Sequence, residues 1–399
     1  MSAPHKIWYA PNQKQAYNEE EIEAVKQCLE DGWLAPGPRT HEFEKQCADI
    51  FGKKFGLFVN SGSSANMLAY IVAGIGPNVE VITPACTFST TVAPLVQLGA
   101  IVKFCDVAPN CYVPKVDQVL SRLSDNTKVI VLPNLLGNKP DWVELKNRLV
   151  KLGRNDILLI EDSCDTMTKT EITDISTCSF YASHIITAGG GGGIVMFNDP
   201  SLHSRALCIR DWGRAGSNSE EFAERFSREI IKGVEYDWKF TYCEFGYNFK
   251  SSEMNAAFGL VQLKKLPKFT QIRSNLFKRY IETLKKNEYS SKYFKFPEFL
   301  VNEQIVWLAL ALACPHRTEL LQYLESNQVQ TRVTMAGNIL RHPIYQKQFP
   351  EEASLSYPVS DQVMREGFLI GCHHGLTEDD VDKVCSLLID FAKKHLEKA

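Results

Sequence analysis

The sequence predicts an α/β protein, a mostly parallel mixed sheet sandwiched by helices, with a smaller C-terminal α+β domain. Three observations carry this reading. Short apolar runs alternate with helical periodicity through the first part of the chain, the pattern of strand-helix-strand units. A length of 399 residues with 44% hydrophobic composition is enough for a large core and two domains. A long helical pattern then precedes a stretch of mixed short elements. The expected division is residues 1–265, a large α/β domain with an N-terminal helical arm, and residues 266–399.

Asn18-Glu19-Glu20-Glu21 forms a capping-box pattern before a helix with Ile22, Val25 and Leu29 on one face, ended by Gly32. A second helix follows Thr40, with Phe43, Cys47 and Phe51 inward. Leu57-Phe58-Val59 reads as a strand entering a helix through Asn60-Ser61-Gly62-Ser63-Ser64. Further strands are expected at 79–83, 101–106, 129–132, 157–161 and 191–197. Helices are expected at 116–123, 142–152, 252–266 and 268–286. Residues 215–239 are polar, lack periodicity and predict a long loop or a loop with a short helix. The remaining segments (305–313, 320–324, 328–333, 381–391) supply the smaller domain.

Composition excludes several functions. A net charge of -3 and a dispersed set of Lys and Arg leave no footprint for nucleic acid. The twelve cysteines include no CxxC pair, which suits a reduced, cytoplasmic protein rather than a disulfide framework. The start of the chain has no apolar leader, and no stretch approaches the roughly 20 apolar residues of a membrane span.

Several segments could carry chemistry. The small polar turn at Gly62 and Ser63 opens a helix, whose free N–H groups suit a phosphate; taken alone, an ordinary helix cap is the simpler reading. Asp162 ends an apolar strand, where open α/β sheets bind ligands. It could hold a protonated ring nitrogen, and a solvated strand end is an equal reading. Phe88 follows another strand and could stack on a planar ring, although a lone aromatic is more often core. The glycines 189–193 precede a strand, whereas a dinucleotide fingerprint follows one, so they predict a tight turn with close packing.

Together and in this order, with Pro36-Gly37 and Gly246-Tyr247-Asn248-Phe249-Lys250, these pieces resemble the DegT/DnrJ/EryC1/StrS family over nearly the whole chain. The resemblance implies the type I aminotransferase fold and a pyridoxal or pyridoxamine 5'-phosphate cofactor. Gly62, Ser63 and Ser183 would hold its phosphate, Phe88 would stack on its ring and Asp162 would pair with the ring nitrogen. Asp165, where such enzymes often have Gln, would lie near the ring hydroxyl. Asn248 would reach the phosphate of a neighbouring subunit, making the active unit a homodimer. Arg214, Arg332 and Asn338 are candidates for substrate contacts.

His184 stands where the family has its cofactor-binding lysine. That replacement resembles the family's 3-dehydratase branch. It implies removal of the C3 hydroxyl from a nucleotide-linked 4-keto-6-deoxyhexose, with His184 as acid/base and L-glutamate regenerating pyridoxamine phosphate. Two departures stand out. Much of the branch has a second His and an acidic residue where this chain has Ile185 and Gly190. One subgroup also has a cysteine cluster for a [2Fe-2S] centre, whereas residues 215–242 contain no cysteine, so no iron–sulfur cluster and no metal are expected. Two other readings stay open: an ordinary sugar aminotransferase, and a non-catalytic nucleotide-sugar or cofactor-binding relative.

Overall fold

The structure is a computed structural model that describes residues 5–11, 15–216, 222–226, 229–301 and 306–398. A seven-stranded sheet forms its centre, in the order β1-β7-β6-β5-β4-β2-β3. The strands are β1 (Phe55–Val59), β2 (Glu80–Pro84), β3 (Ile101–Cys105), β4 (Thr127–Pro133), β5 (Leu158–Asp162), β6 (Ile175–Ser179) and β7 (Gly193–Phe197). Only β7 is reversed, pairing antiparallel with β1 and β6. The start of β7 therefore shares one edge of the sheet with the ends of the others. The remaining pairs are parallel, and these strands are almost wholly buried, as a sheet covered on both faces requires.

The N-terminal arm consists of α1 (Glu19–Glu30) and α2 (Pro38–Phe51). The capping box at Asn18 forms as expected. The expected inward face of α1 does not: Ile22 is 46% and Leu29 53% exposed, while Glu21 and Cys28 are buried. The helix is oriented by charge rather than by its apolar stripe. Glu21 accepts hydrogen bonds from Lys265 and Gln262 on the long helix Glu253–Lys286. In α2, Phe43, Cys47 and Phe51 point inward as expected.

The long helix joins the two expected helical segments into one, with Pro267 inside it, so the proposed boundary at 265/266 falls within a continuous element. Beyond it, a three-stranded antiparallel sheet of β10 (Ala309–Ala313), β12 (Gly367–Gly371) and β11 (Thr331–Val333) packs against the C-terminal helix Glu378–Leu396. The N-terminal segment crosses to this region, where Ile7 bridges Val329. In the polar stretch, the short helix that the sequence allowed forms at Phe222–Arg225, and a hairpin of β8 (Glu229–Ile231) and β9 (Val234–Glu235) is added to it; residues 217–221, 227–228 and 305 lie outside the described residues. No described helix is long and apolar enough to cross a membrane.

Glu253 ties the arm to the long helix. Its buried carboxylate accepts from the backbone N–H of Gly37, Arg39 and Thr40 and from the Thr40 hydroxyl. It thus serves as a remote cap for α2, whose own cap position is Gly37, with no side chain to offer. Replacing Glu253 with Ala should lower the unfolding free energy by about 2–3 kcal/mol, because buried donors lose a charged acceptor. Urea titration of the variant against the parent measures this.

Candidate functional site

A cavity of about 390 Å³ opens at the shared edge of the sheet. Five chain segments converge on it. The turn after β1 supplies Ser61, Gly62 and Ser63; the segment after β2 supplies Phe88; the end of β5 supplies Asp162, Cys164 and Asp165. The loop after β6 supplies Ser179, Tyr181, Ser183 and His184, and the glycine turn before β7 supplies Gly191 and Gly192. Tyr9 from the N-terminal segment and Leu308 and Met335 from the C-terminal region close it. Seven of the expected residues therefore meet: Gly62, Ser63, Phe88, Asp162, Asp165, Ser183 and His184.

The phosphate-type cradle is the start of α3 (Gly62–Val72). Ser61 caps it by accepting from the backbone N–H of Ser64 at 3.1 Å. A side chain at Gly62 would meet Ser179 Cβ at 2.6 Å, so only glycine lets the helix start lie against β6. The glycine turn serves the same close approach, because a Cβ at Gly193 would sit 2.3 Å from the Ser61 carbonyl. This matches the tight turn expected from sequence.

Asp162 is the most constrained group. Its Oδ2 accepts from Asn66 Nδ2 and from Thr91 Oγ1, each at 2.8 Å. Its Oδ1 accepts only a long bond from the backbone N–H of Cys164, at 3.3 Å. One oxygen is thus fixed by the protein while the other keeps acceptor capacity for a cationic N–H in the cavity. Asn66 is itself oriented by Thr177 Oγ1 on β6, at 2.6 Å.

His184 lies in a turn whose sequence explains its pose. Phe180, Ile185 and Ile186 are buried in the apolar cluster beneath, so the four residues between must arch toward the cavity. Phe180 meets Phe43 edge-to-face at 4.9 Å, and burial of such side chains holds the loop by about 1.5–3 kcal/mol each. The His184 Nδ1 lies 3.2 Å from the Ser179 carbonyl. A carbonyl only accepts, so Nδ1 carries the proton and Nε2 presents its lone pair. Nε2 lies 3.8 Å from Asp165 Oδ1. Burial pushes the His184 imidazole down to about 4, against the partial support of the Ser179 carbonyl. Burial also pushes the Asp165 carboxyl up to about 7, countered by the Leu136 N–H and reinforced by the Asp162 charge.

No lysine lines this cavity among the described residues. Lys169, the nearest lysine along the motif, pairs with Glu171 at 2.6 Å on the surface. The other expected residues lie elsewhere. Asn248 is exposed and bridges Asp211. Arg214 stacks on Trp212 and Phe240, with its guanidinium 4.3 and 5.5 Å from the ring centres. Arg332 stands over Tyr9 at 5.3 Å, at the cavity margin. Asn338 is buried away from the cavity: it donates to Asp361 and accepts from the Leu340 N–H, which secures a turn. Cys208 and Cys243, which flank the cysteine-free stretch, come together, with their sulfurs 4.0 Å apart.

Sequence reasoning missed Tyr9, Asn66 and Thr91. Tyr9 arrives from the far end of the chain, where its backbone N–H donates to Gln330, and nothing local announces that. Asn66, one turn into α3, is buried and reaches Asp162 only through the tertiary fold.

Three histidines are depressed mainly by burial: His184 to about 4, His373 to about 3 and His374 to about 2. Between pH 6.5 and 5 the unfolded chain takes up protons on all three while the folded chain does not. Asp165 works oppositely, because the folded state holds its proton below about 7. His41 is raised and His203 lowered, so they act in opposite directions. The unfolded state therefore binds more protons, by about one near pH 6.5 and about two near pH 5. Stability should fall as pH drops from 6.5 to 5, by about 3 kcal/mol in all, as read from urea midpoints at each pH.

The matching family model, the DegT/DnrJ/EryC1/StrS aminotransferase family, spans residues 15–389. The chain is 30% identical to the lipopolysaccharide biosynthesis protein RfbH of Salmonella typhimurium, over 93% of this chain and 89% of that one. It is 27% identical to the GDP-4-keto-6-deoxy-D-mannose 3-dehydratase of Escherichia coli O55:H7, over 95% and 99% of the two chains. A solved structure of the E. coli GDP-4-keto-6-deoxy-D-mannose-3-dehydratase with bound hydrated PLP matches with a TM-score of 0.80 and 26% identity, covering 96% of this chain and all of that one. A dTDP-4-dehydro-2,3,6-trideoxy-D-glucose 4-aminotransferase of Saccharopolyspora spinosa is 26% identical, over 95% and 96%. The fold is the type I aminotransferase fold, and the chain belongs to the DegT/DnrJ/EryC1/StrS aminotransferase family.

Proposed function

We propose that this protein is a pyridoxamine/pyridoxal phosphate-dependent 3-dehydratase that removes the C3 hydroxyl of a nucleotide-linked 4-keto-6-deoxyhexose. The observation that carries the reading is the pairing of a complete cofactor cradle with a histidine at the lysine position. The residues fit the group: a helix start at Gly62 and Ser63 for the phosphate, Phe88 for the ring face, and an Asp162 Oδ1 with acceptor capacity to spare for the ring nitrogen. Ser183 would add a phosphate contact, and Asp165 would lie near the ring hydroxyl. If the cofactor site were abandoned, nothing physical would keep Asn66 and Thr91 trained on Asp162.

When bound, the cofactor supplies an amine to condense with the sugar ketone and a ring that accepts electrons. The protein does the rest. Asp162, oriented by its three donors, would pair with the ring nitrogen of a bound cofactor. His184 Nε2, with its lone pair exposed and its ring fixed by the Ser179 carbonyl, accepts the proton from carbon. Lacking a primary amine, it cannot hold the cofactor covalently, so cofactor retention rests on the cradle. Leu308, Met335 and Tyr9 limit water. L-glutamate serves as the amino donor that resets the cofactor. Asn248, exposed here, reaches the phosphate in a neighbouring subunit of a homodimer; Arg214 and Arg332 contact sugar or carboxylate groups, while Asn338 secures its own turn through Asp361 and the Leu340 N–H.

Incubation with pyridoxal phosphate and L-glutamate should shift the absorbance to the pyridoxamine form, and borohydride should trap no lysine adduct. Absence of any cofactor binding would support a non-catalytic relative instead. His184→Asn should retain cofactor binding and lose elimination by about 100-fold or more; unchanged activity would remove His184 from the chemistry. His184→Lys should create a borohydride-reducible link at residue 184.

A further inference from the structure

We infer that Asp165 is the second proton-transfer group of this site, a neutral carboxylic acid that works opposite the neutral base His184. The inference rests on the dehydratase reading for its chemistry; its protonation claim rests first on the burial and hydrogen bonding of the two carboxyl groups. Asp162 and Asp165 are both buried, three positions apart, in contrasting surroundings. Asp162 accepts three hydrogen bonds, from Asn66, Thr91 and the Cys164 N–H. Asp165 accepts one, from the Leu136 N–H at 2.7 Å. Its other oxygen faces the His184 Nε2 at 3.8 Å. Among the described residues no arginine or lysine pairs with Asp165. Two buried carboxylates with so little compensation do not both ionise, and the less well solvated one keeps its proton.

The groups around the pair point the same way. Arg273 on the long helix donates to the His184 carbonyl at 3.4 Å, and its positive charge opposes an imidazolium. Tyr9, from the N-terminal segment, stays a neutral phenol because of its burial. Arg332 stands over the Tyr9 ring, 5.3 Å from its centre. Asp162 favours an imidazolium at His184 and also favours a proton on Asp165. One proton therefore serves both groups, and it rests on the carboxyl.

This arrangement balances the elimination. His184 Nε2 forms a bond to the proton leaving carbon, and that C–H electron pair moves into the conjugated system. The C3–O bond breaks with its electron pair on oxygen, and Asp165 delivers its proton there, so water departs. The pair begins as acid and neutral imidazole and ends as carboxylate and imidazolium, with no change in its net charge. Return of one proton from His184 to Asp165 resets it. The two electrons of the overall deoxygenation come from L-glutamate, in the step that resets the cofactor.

Histidine labelled with ¹⁵N and observed by NMR tests this, with the His184 signal identified by its loss in His184→Asn. At pH 6, between the two shifted values, His184 should be neutral in the parent protein and in Asp165→Asn. An imidazolium in the parent that becomes neutral in Asp165→Asn would mean an ordinary ion pair and overturn the inference. In single turnover, Asp165→Asn should slow elimination by about 100-fold or more, with cofactor binding kept. Asp165→Glu, which restores an acid, should recover at least about tenfold of that loss. Elimination by Asp165→Asn within about twofold of the parent would also overturn it. If the parent eliminates nothing, the dehydratase reading fails and takes the acid role with it, while the NMR result still decides whether His184 is neutral or half of an ion pair with Asp165.

Discussion

The carboxylate of Asp162 is held from one side only, and much of the site's construction serves that asymmetry. Asn66 on α3 and Thr91 on the helix after β2 both donate to Oδ2, and Thr177 on β6 orients Asn66. Three separate elements must therefore be in register before this one oxygen is satisfied. The parallel strands and the reversed β7 supply that register, bringing the end of β5, the end of β6 and the glycine turn to one edge. A buried charge with only partial compensation is costly unless a ligand completes it. The fold thus holds an anion whose remaining capacity faces a cavity.

Against that fixed charge, His184 and Asp165 are set differently. Each is buried with few donors or acceptors, and burial favours the neutral form of each. The site contains two carboxyl groups and one imidazole, and their hydrogen-bond counts push them into different protonation states. The apolar anchors on either side of His184 do as much for the chemistry as the polar contacts. Phe180, Ile185 and Ile186 are all but fully buried, which leaves the arch between them little choice of pose. This also accounts for Ile185, the position at which the family resemblance led to the expectation of a second histidine. Here that position belongs to the apolar cluster.

Much of this was legible in the sequence, for physical reasons that differ by element. The parallel strands are continuous apolar runs, and the capping box and the small polar turn have strict residue requirements. The strand Ile175–Ser179 was not legible, because its Ser176 and Thr177 look like loop residues. They are buried all the same, with Ser176 bonded to Glu161 and Thr177 to Asn66. The orientation of α1 was misread because Glu21 finds Lys265 some 240 positions away, and a long-range ion pair leaves no local trace. Pro267 suggested a break that the helix passes through. In the site, the residues that face the cavity from strand ends were found, while Asn66, Thr91 and Tyr9 depend on tertiary contacts that no local pattern announces. The thiol contact of Cys208 with Cys243 is of the same kind.

The central claim is that replacing lysine by histidine in an otherwise intact cradle converts amine transfer into hydroxyl removal. Mass spectrometry tests it most directly, on products formed from a panel of nucleotide-linked 4-keto-6-deoxyhexoses with pyridoxal phosphate and L-glutamate. The account predicts a product that has lost the C3 oxygen and gained no nitrogen, with release of ammonia. A stable amino sugar that retains its C3 hydroxyl would contradict it.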